Sequence, residues 1–157
     1  MNRILTTSFA LAAGALCLSG AAHAQDISAT PTYGTQNLEA GFLPDPVSID
    51  IAAGGATEAS VTGNGPCAGY HAEAPDVDLN YTAGGATLYI HATSDSDTTL
   101  LINAPDGSWY CNDDTNGLNP LVVFEPAQDG QYNIYVGTYD EGSTPPAQLH
   151  ITELDPR

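Results

Sequence analysis

The stretch that decides the fold is DTTLLINAPDGSWYCNDD at Asp97–Asp114, followed at Asn119–Tyr139 by NPLVVFEPAQDGQYNIYVGTY. It runs from an apolar segment through a Pro-Asp-Gly turn to an aromatic segment that ends in cysteine. An acidic loop then leads to two more apolar segments separated by a glycine turn. Short β-prone segments joined by tight turns are typical of antiparallel sheets. The stretch therefore predicts strands connected by hairpins, without a helix.

Period-two alternation of apolar and polar residues continues on both sides of this stretch, as in Val47–Ile51, Val77–Tyr81 and Leu88–His91. The chain holds 16 glycines and 11 prolines. Beyond residue 24, no window shows the i, i+3, i+4, i+7 spacing of an amphipathic helix. We therefore predict an all-β fold, an antiparallel β-sandwich of about nine short strands with jelly-roll-like connections.

Two finer predictions follow from local patterns. Leu121–Phe124 is apolar at every position, which favours a central strand covered on both faces. The pentapeptide AGGAT occurs at Ala53–Thr57 and again at Ala83–Thr87, each time after an alternating segment. Because glycine tolerates the positive φ angles of two-residue turns, both glycine pairs predict hairpins.

The first 24 residues have the pattern of a signal peptide: a short basic start, an apolar stretch at Ser8–Leu18 and the small residues Ala22-His23-Ala24. The apolar stretch is shorter than the roughly 20 residues of a membrane span. We predict cleavage after Ala24 and a secreted or periplasmic protein, without membrane insertion. Residues 25–46 are predicted as an N-terminal segment leading into the fold, and residues 47–157 as the β-sandwich domain.

The chain is strongly acidic, with 19 Asp and Glu against only Arg3 and Arg157. Binding to nucleic acid or to an anionic membrane surface requires Lys and Arg near the phosphates, so both partner classes are excluded. A high net charge keeps an exported protein dispersed, which favours a monomer. The partners that stay open are an extracellular or periplasmic protein and a polysaccharide.

Two cysteines follow the predicted signal peptide, Cys67 and Cys111. In an oxidising compartment an isolated pair of cysteines most often forms one disulfide. Neither cysteine belongs to a CxxC pair, so a structural bridge is favoured over catalytic or metal-bound thiols. We predict a Cys67–Cys111 disulfide.

The segment from Val77 to Tyr139 resembles the bacterial pre-peptidase C-terminal (PPC) domain, a small secreted β-sandwich found beside exported peptidases. The residues that carry the resemblance are Asp97–Leu100, Pro105-Asp106-Gly107, Asn112-Asp113-Asp114 and Gly130–Val136. The resemblance implies an accessory module that does not itself cleave a substrate. It also implies that loop carboxylates hold calcium, as in some relatives of that family.

Calcium is also suggested by the residues themselves, because Ca²⁺ takes six to eight oxygen ligands, mostly from loops. The run from Asn112 to Gly117 imitates the first half of an EF-hand loop, although Val123 stands where its last glutamate would be. The alternative is that these residues are turn-formers whose side chains bond their own backbone. The candidate metal ligands are Asp95, Asp97, Asn112, Asp113, Asp114 and Asn116.

No catalytic residues are predicted. No GxSxG segment, HExxH segment or paired-histidine pattern occurs, and none of the serines sits in a recognisable nucleophile context. A small secreted hydrolase is therefore the least favoured alternative.

A lectin-like module that binds carbohydrate or protein through outward-facing aromatic residues is the other alternative. Alternation places several aromatic side chains opposite the predicted core, where they would either bind a ligand or pack across strands. The candidate binding residues are Tyr89, Trp109, Tyr110 and Tyr135. The favoured hypothesis is a non-catalytic exported accessory or binding module, for which calcium binding and turn formation by the acidic loop both stay open.

Overall fold

The computed structural model describes residues 25–65 and 67–157, so the predicted signal peptide lies outside the described residues. The described residues form eleven strands and no helix, and hence contain no helix that could cross a membrane. The strands are β1 (Thr35–Glu39), β2 (Val47–Ala52), β3 (Thr57–Glu58), β4 (Tyr70–His71), β5 (Val77–Thr82), β6 (Leu88–Thr93), β7 (Thr98–Asn103), β8 (Trp109–Asn112), β9 (Leu121–Phe124), β10 (Gly130–Thr138) and β11 (Pro146–Thr152). The predicted all-β class is confirmed.

The strands form two sheets. Sheet B has the order β2-β11-β6-β9, and every pairing in it is antiparallel. In sheet A, β10 is central: β5 pairs with its first half and β7 with Asn133–Thr138. Strand β8 pairs with β7 in antiparallel orientation, and β1 pairs with β5 in parallel orientation. Strand β4 pairs with the last residue of β10, and β3 pairs with β4. The Pro-Asp-Gly hairpin is the predicted turn between β7 and β8.

The structure has eleven strands, whereas about nine were predicted. The difference comes from strands that are too short to show alternation or that lie in the N-terminal segment. Strands β3 and β4 are two residues long, below the length at which alternation can be recognised. Strand β1 belongs to the N-terminal segment 25–46, where Leu38 packs against the core and Phe42 is buried in it. That segment therefore contributes directly to sheet A.

The main core lies between the inner faces of the two sheets. Alternate residues of β5, β7 and β10 meet alternate residues of β6 and β11, as the period-two pattern requires. The most deeply buried members are Leu79, Leu88, Ile90, Leu100, Ile102, Tyr132, Ile134, Val136, Leu149 and Ile151. Burial of this apolar surface from both sides is the main driving force for the sandwich.

Both glycine-pair hairpin predictions are wrong. The first AGGAT segment connects β2 of sheet B with β3 of sheet A, and the second connects β5 of sheet A with β6 of sheet B. Gly54 and Gly85 do adopt positive φ, at 101° and 84°, so the turn chemistry is as expected. In both places the chain crosses from one sheet to the other, so that the two connected strands lie on opposite sides of the main core.

The central position predicted for Leu121–Phe124 is also wrong, since β9 pairs only with β6 and forms an edge of sheet B. Its outward residue Val123 is half-buried and stands directly opposite Tyr89 of β6. An apolar residue on that outer face thus belongs to a cross-strand pair.

A second, smaller core covers the outer face of sheet A. Leu101, Cys111 and Tyr135 are buried there, and Val61, Cys67 and Trp109 pack against them. The predicted Cys67–Cys111 disulfide is present, with a Cα–Cα distance of 4.9 Å. It ties the irregular segment before β4 to strand β8, so that this segment lies over the sheet.

We predict that reduction of Cys67–Cys111 lowers the free energy of unfolding by about 2–5 kcal/mol, because the bridge closes a long loop in the unfolded chain. Urea unfolding with and without reductant, followed by the fluorescence of Trp109, measures this change. A Cys67→Ser/Cys111→Ser variant should be equally destabilised and insensitive to reductant. Equal midpoints for the reduced and oxidised protein would contradict the prediction.

Candidate functional site

Three carboxylates meet at one end of sheet A. Asp97 immediately precedes β7, and Asp113 and Asp114 immediately follow β8. Since β7 and β8 are antiparallel, with Leu100 opposite Asn112, the start of one strand lies beside the end of the other. One oxygen from each carboxylate lies within 4.8 Å of those of the other two. We call Asp97, Asp113 and Asp114 the aspartate trio.

Arg157, the one Lys or Arg among the described residues, forms its ion pair with Asp155 and not with the trio. Burial, followed by the proximity of Asp114 and Asp140, raises the pKa of Asp97. Burial, followed by Asp114 and Asp97, raises the pKa of Asp113. One oxygen of Asp97 and one of Asp113 are buried without a hydrogen-bond partner in the described part of the chain. Unpaired buried oxygens and mutual repulsion are unfavourable, and a bound divalent cation relieves both.

The loop that carries the trio is organised by its own hydrogen bonds. The side-chain oxygen of Asn112 accepts from the Thr115 hydroxyl at 2.8 Å and from the Leu121 backbone N–H at 2.9 Å. The backbone N–H groups of Thr115 and Asn116 both donate to the Asn119 carbonyl. Asn112 therefore acts as a turn-former here, and its oxygen is already engaged.

The other predicted metal ligands lie apart from the trio. Asp95 is exposed and lines a shallow cavity together with Asp50 and Gln148. Asn116 lines a different cavity, on the outer face of sheet B. Spacing along the chain could not separate these residues, because the loop after β8 turns back on itself between Asp114 and Asn119.

The four predicted aromatic binding residues do not form one surface. Tyr110 faces the main core, where its ring contacts Phe124 edge-on at 4.8 Å. Trp109 and Tyr135 lie on the outer face of sheet A with ring centroids 6.0 Å apart. Tyr89 lies on the outer face of sheet B, with the guanidinium of Arg157 5.9 Å from its ring centroid. These side chains thus occupy three separate places.

The outward exposure predicted for Tyr135 is wrong. It points away from the main core, as alternation indicates, but the disulfide-tethered segment covers it and its exposed fraction is 0%. Its hydroxyl is buried without a partner among the described residues. The outward position predicted for Tyr110 is also wrong, because its side chain packs against the main core. The period of a strand shows which residues share a face, but it does not show whether a loop covers that face.

An imidazole pair that the sequence analysis missed lies on the outer face of sheet B. His91 of β6 stands directly opposite His150 of β11, and the rings stack with centroids 4.5 Å apart. His150 is fixed from both sides, by the Ser48 hydroxyl at 2.8 Å and the Thr93 hydroxyl at 2.9 Å. The histidines are far apart in sequence, so only the strand register could have revealed the pair.

The contact between Ser48 and His150 does not form a catalytic triad. A triad needs a carboxylate on the second ring nitrogen, to orient the imidazole and stabilise its charge. In this pair the second nitrogen of His150 instead contacts the Thr93 hydroxyl. Burial also lowers the pKa of His150, which disfavours the charged imidazolium.

A buried polar region lies beneath the segment that covers sheet A. The His71 ring contacts the Thr99 hydroxyl at 3.1 Å and lies against Gly137, where an added Cβ would come within 2.5 Å of it. Nearby, one carboxyl oxygen of Asp76 accepts from the Val136 N–H at 2.7 Å. Burial lowers the pKa of His71 to about 4 and raises the pKa of Asp76 to about 7.

The chain matches no protein-family model and no curated protein. Among solved structures, it is similar to the Aeromonas hydrophila PliG, a periplasmic lysozyme inhibitor of g-type lysozyme. That similarity has a TM-score of 0.42 and 13% identity, and it covers 75% of this chain and 96% of that chain.

The two buried groups generate opposite pH dependences. Between about pH 4 and pH 6.5 the folded protein holds a proton on Asp76 and none on His71, whereas the unfolded chain holds the reverse. The His71 contribution to stability is lost as the pH falls from 6.5 to 4. The Asp76 contribution is lost as the pH rises from about 4 to 7. In the wild-type protein the two slopes offset each other.

We predict that single variants remove this compensation. Relative to wild type, the free energy of unfolding of Asp76→Asn should rise with pH from about 4 to 7. That of His71→Gln should fall with pH from about 4 to 6.5. Each slope should approach about 1.4 kcal/mol per pH unit, the value for one proton. Urea unfolding at a series of pH values tests this, and two variant curves parallel to wild type would refute it.

Proposed function

We propose that this protein is a non-catalytic exported binding module in which the aspartate trio binds a divalent cation, calcium. The observation that carries the proposal is the convergence of three carboxylates, two of them with a buried, unpartnered oxygen. Calcium fits because all the donors are hard oxygens on loops. Backbone carbonyls and water would complete the shell.

The position of the trio explains how a cation would act. The trio joins the residue before β7 to the two residues after β8, and the backbone N–H of Tyr139 donates to the Asp97 carbonyl. A cation there would link three chain segments at one end of sheet A. It would thereby hold the loop from Asn112 to Asn119 in one conformation.

The resemblance to the pre-peptidase C-terminal domain is part of this proposal. It accords with the sandwich, with the Pro-Asp-Gly hairpin between β7 and β8 and with the acidic loop that follows β8. On this proposal the module binds an exported protein or a polysaccharide, and does not cleave it. The feature that would best support the hydrolase alternative is the Ser48–His150 contact. It does not support hydrolysis, because the second ring nitrogen of His150 contacts the Thr93 hydroxyl and not a carboxylate.

We predict that millimolar Ca²⁺ raises the melting temperature of the protein by several degrees over EDTA. A cation at 100 times its dissociation constant adds about 2.7 kcal/mol to the free energy of unfolding. Thermal unfolding by circular dichroism of the chain from Gln25 onward measures the shift. An identical melting temperature in Ca²⁺ and EDTA would contradict the cation site.

Charge-neutralising variants make this test specific. Asp113→Asn should melt higher than wild type in EDTA, because it removes repulsion within the trio, and should lose most of the calcium shift. Glu125→Gln is the matched control: it removes one negative charge from an exposed residue outside the trio. Its calcium shift should equal that of wild type. A calcium shift that survives unchanged in Asp113→Asn would place the cation elsewhere.

A further inference from the structure

A cavity of about 470 Å³ opens on the outer face of sheet B, between that sheet, the loop after β8 and the last residues of the chain. We call it the His91 cavity. Its volume lies within the range of small-molecule sites. Its lining includes His91, Thr93, Thr115, Asn116, Leu121 and Arg157.

Arg157 carries the one permanently charged side chain in the lining of the His91 cavity. None of its lining residues is Asp or Glu, although the chain carries 19 of them. Three other surface cavities each include at least one carboxylate. The charge of Arg157 is compensated, because its guanidinium donates two hydrogen bonds to Asp155. Burial and the neighbouring His150 lower the pKa of His91 to about 4, so this ring is neutral at pH 7.

The imidazole of the cavity and the backbone of its loop are held in place before any ligand arrives. His91 stacks on His150, and His150 is fixed by the Ser48 and Thr93 hydroxyls. The backbone of Asn116 is fixed by its bond to the Asn119 carbonyl, while its side-chain amide makes no hydrogen bond within the described part of the chain. Preorganised groups of this kind lower the entropy cost of binding.

Apolar surface completes the cavity, chiefly from Leu121, Pro120 and Pro156. The combination is a partly apolar wall with neutral donors and acceptors: an imidazole, an amide and two hydroxyls. A sugar ring presents the complementary surface, with C–H groups on its faces and hydroxyls around its rim. A charged ligand finds no uncompensated partner here, and an anion would also be repelled by the acidic chain.

We propose that the His91 cavity binds a neutral saccharide. The inference rests on the proposed function, since it names the ligand class and the site of the binding module. Hydroxyls of the sugar bond to the Asn116 amide and the Thr93 hydroxyl, and its apolar face lies against Leu121.

The cavity is also linked to the aspartate trio through one loop. Asp113 and Asp114 belong to the trio, and Thr115 and Asn116 line the cavity. A cation that fixes the first half of the loop also fixes the second half. Saccharide affinity should therefore be higher with Ca²⁺ than with EDTA.

The test is titration of the ¹⁵N-labelled, Ca²⁺-loaded protein with the neutral disaccharides cellobiose and N,N′-diacetylchitobiose at millimolar concentrations. Glucuronic acid serves as the charged counterpart. At least one neutral disaccharide should shift the amide signals of His91, Asn116 and their neighbours. Asn116→Ala should weaken binding about fivefold to tenfold, the value of one hydrogen bond. Gln131→Ala, which lines a cavity on sheet A, is the matched control and should leave binding unchanged.

The outcomes separate this inference from the proposed function. Absence of any shift with both disaccharides, in a protein whose melting temperature rises with Ca²⁺, overturns the saccharide site and keeps the cation site. Shifts centred away from the His91 cavity, or tighter binding of glucuronic acid, also overturn it. Equal saccharide binding in Ca²⁺ and EDTA supports the cavity and overturns its coupling to the trio.

Discussion

Strand β10 is the constraint on which the rest of the structure depends. From Tyr132 to Thr138 every residue of the strand is buried, so both faces of the sheet must be covered at this point. Sheet B covers one face and supplies the main core. The other face has no second sheet, and the disulfide-tethered segment before β4 covers it instead. The disulfide is thus more than an addition to a finished sandwich, because it holds the cover of the central strand.

Covering a sheet with an irregular segment brings polar groups into the interior. The outer face of β10 and its neighbours carries His71, Asp76 and the hydroxyl of Tyr135, all of them buried. A second apolar sheet would have required apolar residues there. Because burial lowers the pKa of His71 to about 4 and raises the pKa of Asp76 to about 7, both groups are neutral between these two pH values. Because one group would otherwise gain a proton and the other lose one, their effects on stability oppose each other over the same pH range.

Local patterns were sufficient to predict the fold class, the Pro-Asp-Gly hairpin and the disulfide, because alternation, turn residues and an isolated cysteine pair act over short distances. They failed where distant segments decide the outcome. Alternation identified the face of Tyr135 but could not show the loop that covers it. The glycine pairs predicted hairpins, but both segments cross between the two sheets. Of the candidate metal ligands, Asp97, Asp113 and Asp114 converge, whereas Asp95 and Asn116 lie elsewhere. Separating them requires the register of β7 and β8, and finding the His91–His150 pair requires the register of β6 and β11.

The carboxylates are distributed unevenly over the described part of the protein. Three carboxylates offer oxygens within 4.8 Å of one another, whereas the cavity beside His91 is lined by no carboxylate side chain. Both arrangements meet on the loop between β8 and β9. Its first residues gather negative charge beside Asp97, and its next residues offer neutral side chains to the cavity beside His91. Repulsion among the trio carboxylates would be relieved by protonation or by a bound cation. On the proposed function, a cation bound at the trio would also act on the residues that line the cavity, because both sets of residues belong to one short loop.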